Sequence, residues 1–123
     1  MNHLLTNSLL SVRQFGFRPG SSTQEALISA TTDWHKFLDG KKDVAAVFFY
    51  LSKAFDTVPH QSLLQALSQI GVSGKLLQWF ESYLSGRSQR VVLNGCSSTS
   101  ISVRSGVPQG SILGPLLFII YTD

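Results

Sequence analysis

The stretch Ala45–Val58, AAVFFYLSKAFDTV, places groups that could do chemistry directly after an apolar run. An enzyme that grips Mg²⁺ at the end of a buried strand would put a carboxylate there, because this cation takes hard oxygen ligands. Here the run ends at Tyr50, and the next carboxylate, Asp56, follows only after a turn that carries Lys53. The stretch therefore indicates either a metal site of unusual composition or the loss of a ligand.

Other groupings that could carry catalysis are weak. No serine lies in a Gly-x-Ser-x-Gly elbow, and Cys96 is in a polar turn with no activating neighbour in the sequence. The segment Ser105–Gly114, SGVPQGSILG, lacks the Lys and Ser/Thr of a P-loop. Its glycines either let the backbone approach a flat ligand or simply form a strand-to-helix loop. No metal-binding spacing links the three histidines, His3, His35 and His60.

Composition favours a single folded domain covering residues 1–123, with no second domain. Charged residues make up 14% of the chain, against about 25% in a typical domain, so disorder is disfavoured. A net charge of +3 permits a nucleic-acid partner without establishing one. The single cysteine excludes an intrachain disulfide and favours a reducing compartment, the cytoplasm or nucleus. The apolar run Ile112–Tyr121 is too short to span a membrane, and no signal peptide is evident.

Hydrophobic spacing predicts an α+β fold, because the elements do not alternate strictly between strand and helix. Ser22 and Glu25 have capping-box spacing at the start of one helix, and Gly40 is a plausible stop. Asn94–Gly95 is a strong hairpin signal. The predicted elements are a ragged helix or lead-in at 1–13, a strand at Gln14–Gly20, a helix at 21–40, a buried strand at Asp43–Leu51, helices at 60–71 and 73–86, hairpin strands at Gln89–Leu93 and Thr99–Arg104, and a helix from Ser111 onward.

The same spacing predicts which side chains face the core. An unbroken apolar strand at 43–51 is expected to be covered on both faces. Ser111 could cap the last helix, where Pro115 is tolerated in the first turn. The inward residues expected on the two middle helices are Leu63, Leu64, Leu67 and Ile70 on the first, and Leu76, Leu77, Phe80, Tyr83 and Leu84 on the second.

Four stretches in this order, QFGFRPGSST, VFFYLSKAFDTV, WFESYLSGRSQRVVLNG and SGVPQGSILGPLLFIIY, resemble the reverse transcriptase domain of non-LTR retrotransposons of the jockey-like type. The resemblance covers nearly the whole chain. It implies that the chain forms part of the fingers and palm of a right-hand polymerase. It also implies that the partners are an RNA or DNA template–primer and a deoxynucleoside triphosphate. It also implies two Mg²⁺ ions on palm carboxylates as cofactors, acting by two-metal catalysis.

The resemblance assigns nucleotide-binding roles to four residues. Arg18 matches the arginine that grips the triphosphate, and Phe55 matches the aromatic that lies under the sugar. Gln109 and Gly110 match the segment that touches the nucleotide and the template base. Each role has a structural alternative: Arg18 could be a solvated arginine, Phe55 a core phenylalanine, and Gln109 and Gly110 part of a turn that binds no ligand. Three further basic residues could add to the attraction of a phosphate backbone, although a solubilising role is the simpler one: Lys53, Arg87 and Arg90.

Two departures from the family pattern predict an inactive chain. Tyr50 occupies the position of the first metal-binding Asp, and a neutral phenol is a poor ligand for Mg²⁺. Asp56 matches a different position, and the family's Tyr-x-Asp-Asp hairpin lies beyond Asp123, so none of the three expected metal carboxylates is present. We expect no bound metal and no polymerisation. The alternative is a remnant that binds nucleic acid or nucleotide without catalysis.

Without that hairpin, the predicted strand at 44–51 has no neighbour and leaves an open sheet edge. We therefore expect marginal stability or aggregation.

Overall fold

The computed structural model describes residues 1–123 as a mixture of helices and small sheets. The predicted α+β composition is confirmed at this level. The helices are α1 (Asn2–Thr6), α2 (Thr23–Asp39), α3 (His60–Gln69), α4 (Gly74–Leu84) and α5 (Leu113–Thr122). The strands are β1 (Ser88–Gln89), β2 (Val92–Leu93), β3 (Cys96–Ser97) and β4 (Ile101–Ser102). No helix combines the length and the hydrophobicity needed to cross a membrane.

The core forms where α3 packs against both α4 and α5. Leu63 and Leu67 are fully buried and lie one turn apart on α3, because residues i and i+4 share a helix face. Phe80 and Leu84 repeat this spacing on α4, and Leu117 completes the cluster from α5. The prediction for α3 is confirmed, with Leu64 and Ile70 at the edge of the core.

One inward prediction on α4 is wrong. Leu76 is 54% exposed, whereas Leu77 and Tyr83 are partly buried as expected. Leu76 lies in the first turn of α4. The cluster on that helix starts one residue later, at Leu77, and its most buried members are Phe80 and Leu84. Leu76 therefore fits the apolar periodicity of α4, but it lies near the helix end, where no neighbouring element covers it.

Helix α2 is held by its own hydrogen bonds rather than by the core. The predicted capping box is present: the Ser22 Oγ accepts from the Glu25 N–H at 3.2 Å, and the Glu25 carboxylate accepts from the Ser22 N–H at 3.2 Å. Gly40 is the C-cap, as predicted. No residue of α2 is buried, although its apolar stripe has the right spacing. The apolar stripe therefore indicates an amphipathic helix, and no other element of the chain covers its apolar face.

The predicted buried strand at Asp43–Leu51 is wrong. This segment joins no β-ladder, and all of its residues except Val44 are exposed. An apolar run identifies a stretch that favours extended backbone, but a strand forms only when a neighbour accepts its hydrogen bonds. The strand predicted at Gln14–Gly20 is also wrong, because these residues form turns and Phe17 has a φ of 55°.

The hairpin is confirmed in a shortened form. Asn94 and Gly95 both have positive φ, 49° and 79°, as a type I′ turn requires. The returning strand begins at Cys96 rather than Thr99, because the two-residue turn pairs Leu93 directly with Cys96. Further along the hairpin, β1 pairs with β4 in antiparallel register. Both ladders are exposed to solvent.

Candidate nucleic-acid-binding site

The site is built at a junction between two distant segments, the turn that contains Phe55 and the loop Ser105–Gly114. The Val107 N–H donates to the Phe55 carbonyl at 2.8 Å, and the Gly106 N–H donates to the Val58 carbonyl at 2.8 Å. These bonds fix the loop on the turn at the edge of the core, since Val58 and Val107 are both buried there.

Side chains reinforce the same junction. The Ser105 Oγ donates to the Asp56 carbonyl at 2.8 Å. The His60 Nε2 lies 2.9 Å from the Gly106 carbonyl, and since a carbonyl only accepts, this nitrogen carries the proton in that bond. The Nε2–H group of His60 therefore helps to hold the loop in place.

Gly106 is the position where the two segments come closest. Its φ is +91°, and a Cβ added there would lie 2.8 Å from the Cα and carbonyl oxygen of Asp56. Glycine is required for both reasons. The sequence left open whether this loop approaches a flat ligand or is only a connection. At Gly106 the close approach is to the protein's own backbone, and at Gly114 a Cβ would lie 2.5 Å from the Pro108 carbonyl oxygen.

A cleft of about 680 Å³ lies beside this junction and is rich in cationic side chains. Lys53, Arg87 and Arg104 line it, and Asp56 is the only carboxylate among the lining residues. Three cations against one anion give the cleft a positive field that attracts phosphate groups. Gln89 and Gln109 also line it and offer amide donors and acceptors.

Sequence reasoning suggested Lys53 and Arg87 as phosphate-attracting residues but missed Arg104 and Gln89. The hairpin brings them together: β1 and β4 pair Ser88 with Ser102, and the Val103 N–H donates to the Arg87 carbonyl at 2.9 Å. The sequence could have predicted that Arg104 and Gln89 lie near Arg87, because a two-residue turn at Asn94–Gly95 places the two ends of the hairpin side by side. Arg90, the third residue suggested, is not among the lining residues.

Of the four residues assigned to nucleotide binding, Gln109 lies in the cleft and Gly110 follows it on the surface. Gly110 has a φ of +78°, with no atom near enough to exclude a side chain. Phe55 is half-buried behind the junction, where its ring stacks on Phe118 at 4.6 Å between centroids. The edge contact with Phe17, at 5.9 Å, completes an aromatic cluster. This environment directly supports the packing role of Phe55.

Arg18 and Tyr50 are not brought into the cleft. The Arg18 guanidinium donates to the Ser11 carbonyl at 3.1 Å, which ties it to the N-terminal loop. Tyr50 is 94% exposed at the end of the unpaired segment and forms no hydrogen bond. The geometry thus groups Gln109 and Gly110, places Phe55 behind them, and leaves Arg18 and Tyr50 outside.

The donor set does not fit a pair of Mg²⁺ ions. Magnesium prefers near-octahedral oxygen ligands that include carboxylates. Where the apolar segment ends, the side chain is the phenol of Tyr50, and Asp56 shares its cleft with three cations. The chain has no cluster of three or more His, Cys, Asp or Glu side chains able to hold a metal ion.

An aromatic stack continues from the cleft along α4. The Trp79 and Tyr83 rings lie nearly parallel, 5.3 Å apart, and the Arg87 guanidinium lies 6.0 Å from the Tyr83 ring centroid. Trp79 and Tyr83 lie four residues apart on one side of α4, and Arg87 reaches Tyr83 from the segment that follows the end of the helix. Trp79 is about half exposed. The arrangement joins a cationic group to a flat aromatic surface, a combination found in proteins that bind single-stranded nucleic acid.

Comparison with known proteins gives a consistent result. Residues 1–123 match the family model described as reverse transcriptase (RNA-dependent DNA polymerase). The chain is 37% identical over 109 residues to the RNA-directed DNA polymerase from mobile element jockey of Drosophila funebris. It is 35% identical over 123 residues to the probable RNA-directed DNA polymerase from transposon BS of Drosophila melanogaster.

These alignments cover most of the chain and little of each relative. They include 89% of this chain and 12% of the jockey protein, and 99% of this chain and 14% of the transposon BS protein. The chain therefore spans about one-eighth of the length of these relatives. No solved structure matches it.

Proposed function

The chain belongs to the reverse transcriptase family, as found in non-LTR retrotransposons, and on that premise we propose that these 123 residues do not polymerise DNA by themselves. The observation that carries the proposal is Tyr50, which stands where the resemblance places a metal-binding carboxylate. Two-metal catalysis requires ions that activate the attacking oxygen and stabilise the leaving one. The 123 residues do not supply the ligands for such a pair.

In the finer form of the proposal, residues 1–123 are one domain that combines parts of the fingers and palm of a right-hand polymerase. Its partners are an RNA or DNA template–primer and a deoxynucleoside triphosphate. The junction of Phe55 with Val107 supports this form, because it brings two of the four matching stretches into direct hydrogen-bonded contact.

A primer-extension assay with template, deoxynucleoside triphosphates and Mg²⁺ tests the proposal. We expect no product above background for the chain, and none for Tyr50→Asp. One restored carboxylate, on an exposed segment without further acidic neighbours, does not assemble a two-metal site. A full-length active reverse transcriptase is the positive control. Extension by either form contradicts the proposal.

A second candidate function is binding of a nucleic-acid strand without catalysis. The cationic cleft favours it, because Lys53, Arg87 and Arg104 come from separate parts of the chain and converge on one cavity. In this arrangement the cleft takes backbone phosphates, and the stack of Trp79 and Tyr83 offers the bases an aromatic face.

Arg104→Gln tests the second function. We expect weaker binding of a labelled single strand, with the slope of log K against log salt smaller by roughly one, because one phosphate contact is lost. Arg90→Gln is the matched control, since it removes the same charge from the same hairpin at a position that does not line the cleft. Equal effects of the two substitutions would show that net charge alone drives binding.

A further inference from the structure

Trp79 is an aromatic side chain of α4 that lies outside the core. It belongs to no buried cluster and is 49% exposed, whereas Phe80 and Leu84 of the same helix are buried. Its indole lies nearly parallel to the Tyr83 ring, at 5.3 Å between centroids and an angle of 12°. The Phe80 ring meets it almost at right angles, at 5.1 Å. These two contacts fix the plane of the indole and leave part of a flat aromatic surface open to solvent.

Cationic side chains flank this aromatic stack at both ends. Lys75 lies one turn before Trp79 on the same side of α4, because residues i and i+4 share a helix face. At the other end the Arg87 guanidinium lies 6.0 Å from the Tyr83 ring centroid. Glu81 is the only carboxylate on α4, and it lies two residues from Trp79 and therefore on a different side of the helix. The stack is thus in a positive field that suits a phosphate-bearing ligand.

The stability of α4 does not explain the position of Lys75. This residue is in the first turn, where a positive charge opposes the helix dipole, and it forms no salt bridge. Arg87 belongs both to the stack and to the lining of the cationic cleft, so the two surfaces are continuous. A strand whose phosphates lie in the cleft can therefore place a neighbouring base on α4.

We propose, on the basis of the strand-binding function described above, that Trp79 makes this site selective for unpaired strands over duplex. A base can stack on the exposed indole only when one of its own faces is free, and in a duplex the neighbouring base pairs cover both faces. The ligand is a single-stranded segment with phosphates near Lys75 and Arg87 and one unpaired base on Trp79. Stacking does not read the 2′-hydroxyl group, so RNA and DNA segments are both accepted.

Fluorescence anisotropy with labelled oligothymidine and with a blunt duplex of equal length tests this selectivity. Charge alone favours the duplex, because its phosphates are more densely spaced, whereas we expect the parent chain to bind the single strand more tightly. Trp79→Leu should weaken binding of the single strand about tenfold, because one stacked base is lost, and should leave duplex binding within about twofold. The slope of log K against log salt for the single strand should not change, since no phosphate contact is removed. Oligouridine should show the same loss.

Two controls separate base stacking from the general effect of removing a tryptophan. Trp34→Leu removes the other of the two tryptophans, which lies on α2 against Phe48, and it should leave strand binding unchanged. An abasic strand of equal length keeps the phosphates without the bases, and Trp79→Leu should not alter its binding. In the Trp34→Leu background, oligothymidine should quench the fluorescence of Trp79, and the abasic strand should not.

The outcomes distinguish a failure of this selectivity from a failure of strand binding itself. Equal losses on the single strand, the abasic strand and the duplex overturn the role of Trp79, as does a parent chain that prefers duplex. If Arg104→Gln weakens strand binding and Trp79→Leu does not, the strand-binding function stands and the selectivity fails. No binding of any strand at low salt overturns both. The quenching measurement keeps Trp79 intact, so its result does not depend on how well Trp79→Leu folds, and unquenched binding of oligothymidine also overturns the proposal.

Discussion

At the scale of single residues, Gly106 shows how one backbone position holds the candidate site together. Its N–H reaches the Val58 carbonyl, and its carbonyl accepts from His60. The space for a side chain is filled by the backbone of Asp56. A substitution there therefore affects three contacts of the junction at once.

Gly106→Ala should lower the free energy of unfolding by about 3 kcal/mol, because it adds a clash to a left-handed backbone conformation. Gly110→Ala is the matched control: its φ is similar, +78°, but no atom lies within 4 Å of the added Cβ. We expect it to cost about 1 kcal/mol, from conformation alone. Urea denaturation followed by circular dichroism measures both. Equal losses would show that the packing at Gly106 contributes nothing.

Residue identities were readable from the sequence, but their surroundings were not. That residue 50 is a tyrosine is evident from the sequence, and its place at a metal-binding position remains a prediction from the resemblance. The stack of Phe55 on Phe118 joins residues 63 positions apart, so no local pattern records it. The bond between Arg18 and the Ser11 carbonyl spans only seven residues, but it depends on the path of a turn that hydrophobic periodicity does not specify.

At the scale of elements, the helices and the Asn94–Gly95 hairpin follow from local signals, whereas the two strands predicted outside the hairpin do not form. The capping box at Ser22 and the apolar spacing on α3 are contained within a few residues, and both were predicted correctly. The segment Asp43–Leu51 has the composition of a central strand but no partner in these 123 residues. Strand formation depends on a neighbour, which a local pattern does not specify.

Two leucines on α3 and α4 both fit the apolar spacing of their helices, but only one of them is buried. Leu67 on α3 is 1% exposed, whereas Leu76 on α4 is more than half exposed. Leu67→Ala should destabilise the chain by about 3 kcal/mol, since it leaves a cavity in the core. Leu76→Ala should stay within about 0.5 kcal/mol of the parent. Denaturant titration measures both, and a large loss at Leu76 would mean that another surface covers it.

At the scale of the whole molecule, stability is concentrated in one part of the chain. The larger core cluster draws on residues from Val58 to Leu117, and a smaller one joins Leu4 and Leu10 to Ile119 of α5. Between them, α2 and the segment after it bury no residue completely. Regions with few buried contacts open at the lowest free energy.

Hydrogen exchange should reveal this division. In dilute solution the amides of residues 44–51 should exchange at nearly the rate of an unstructured peptide, because none is hydrogen-bonded. Amides of α3 around Leu67 should exchange orders of magnitude more slowly. Mass spectrometry of peptic peptides measures both in one experiment. Protection of residues 44–51 at high dilution would contradict the unpaired state of the monomer.

The hydrogen bond between Phe55 and Val107 also bears on how such a chain evolves. It brings together the two ends of a stretch of about fifty residues that contains α3, α4 and the whole hairpin. A stretch whose ends meet can be exchanged between proteins without moving the chain on either side. Recombination between related elements could therefore replace residues 55–107 as one cassette, provided that the recipient supplies an equivalent of α5 for α3 to pack against.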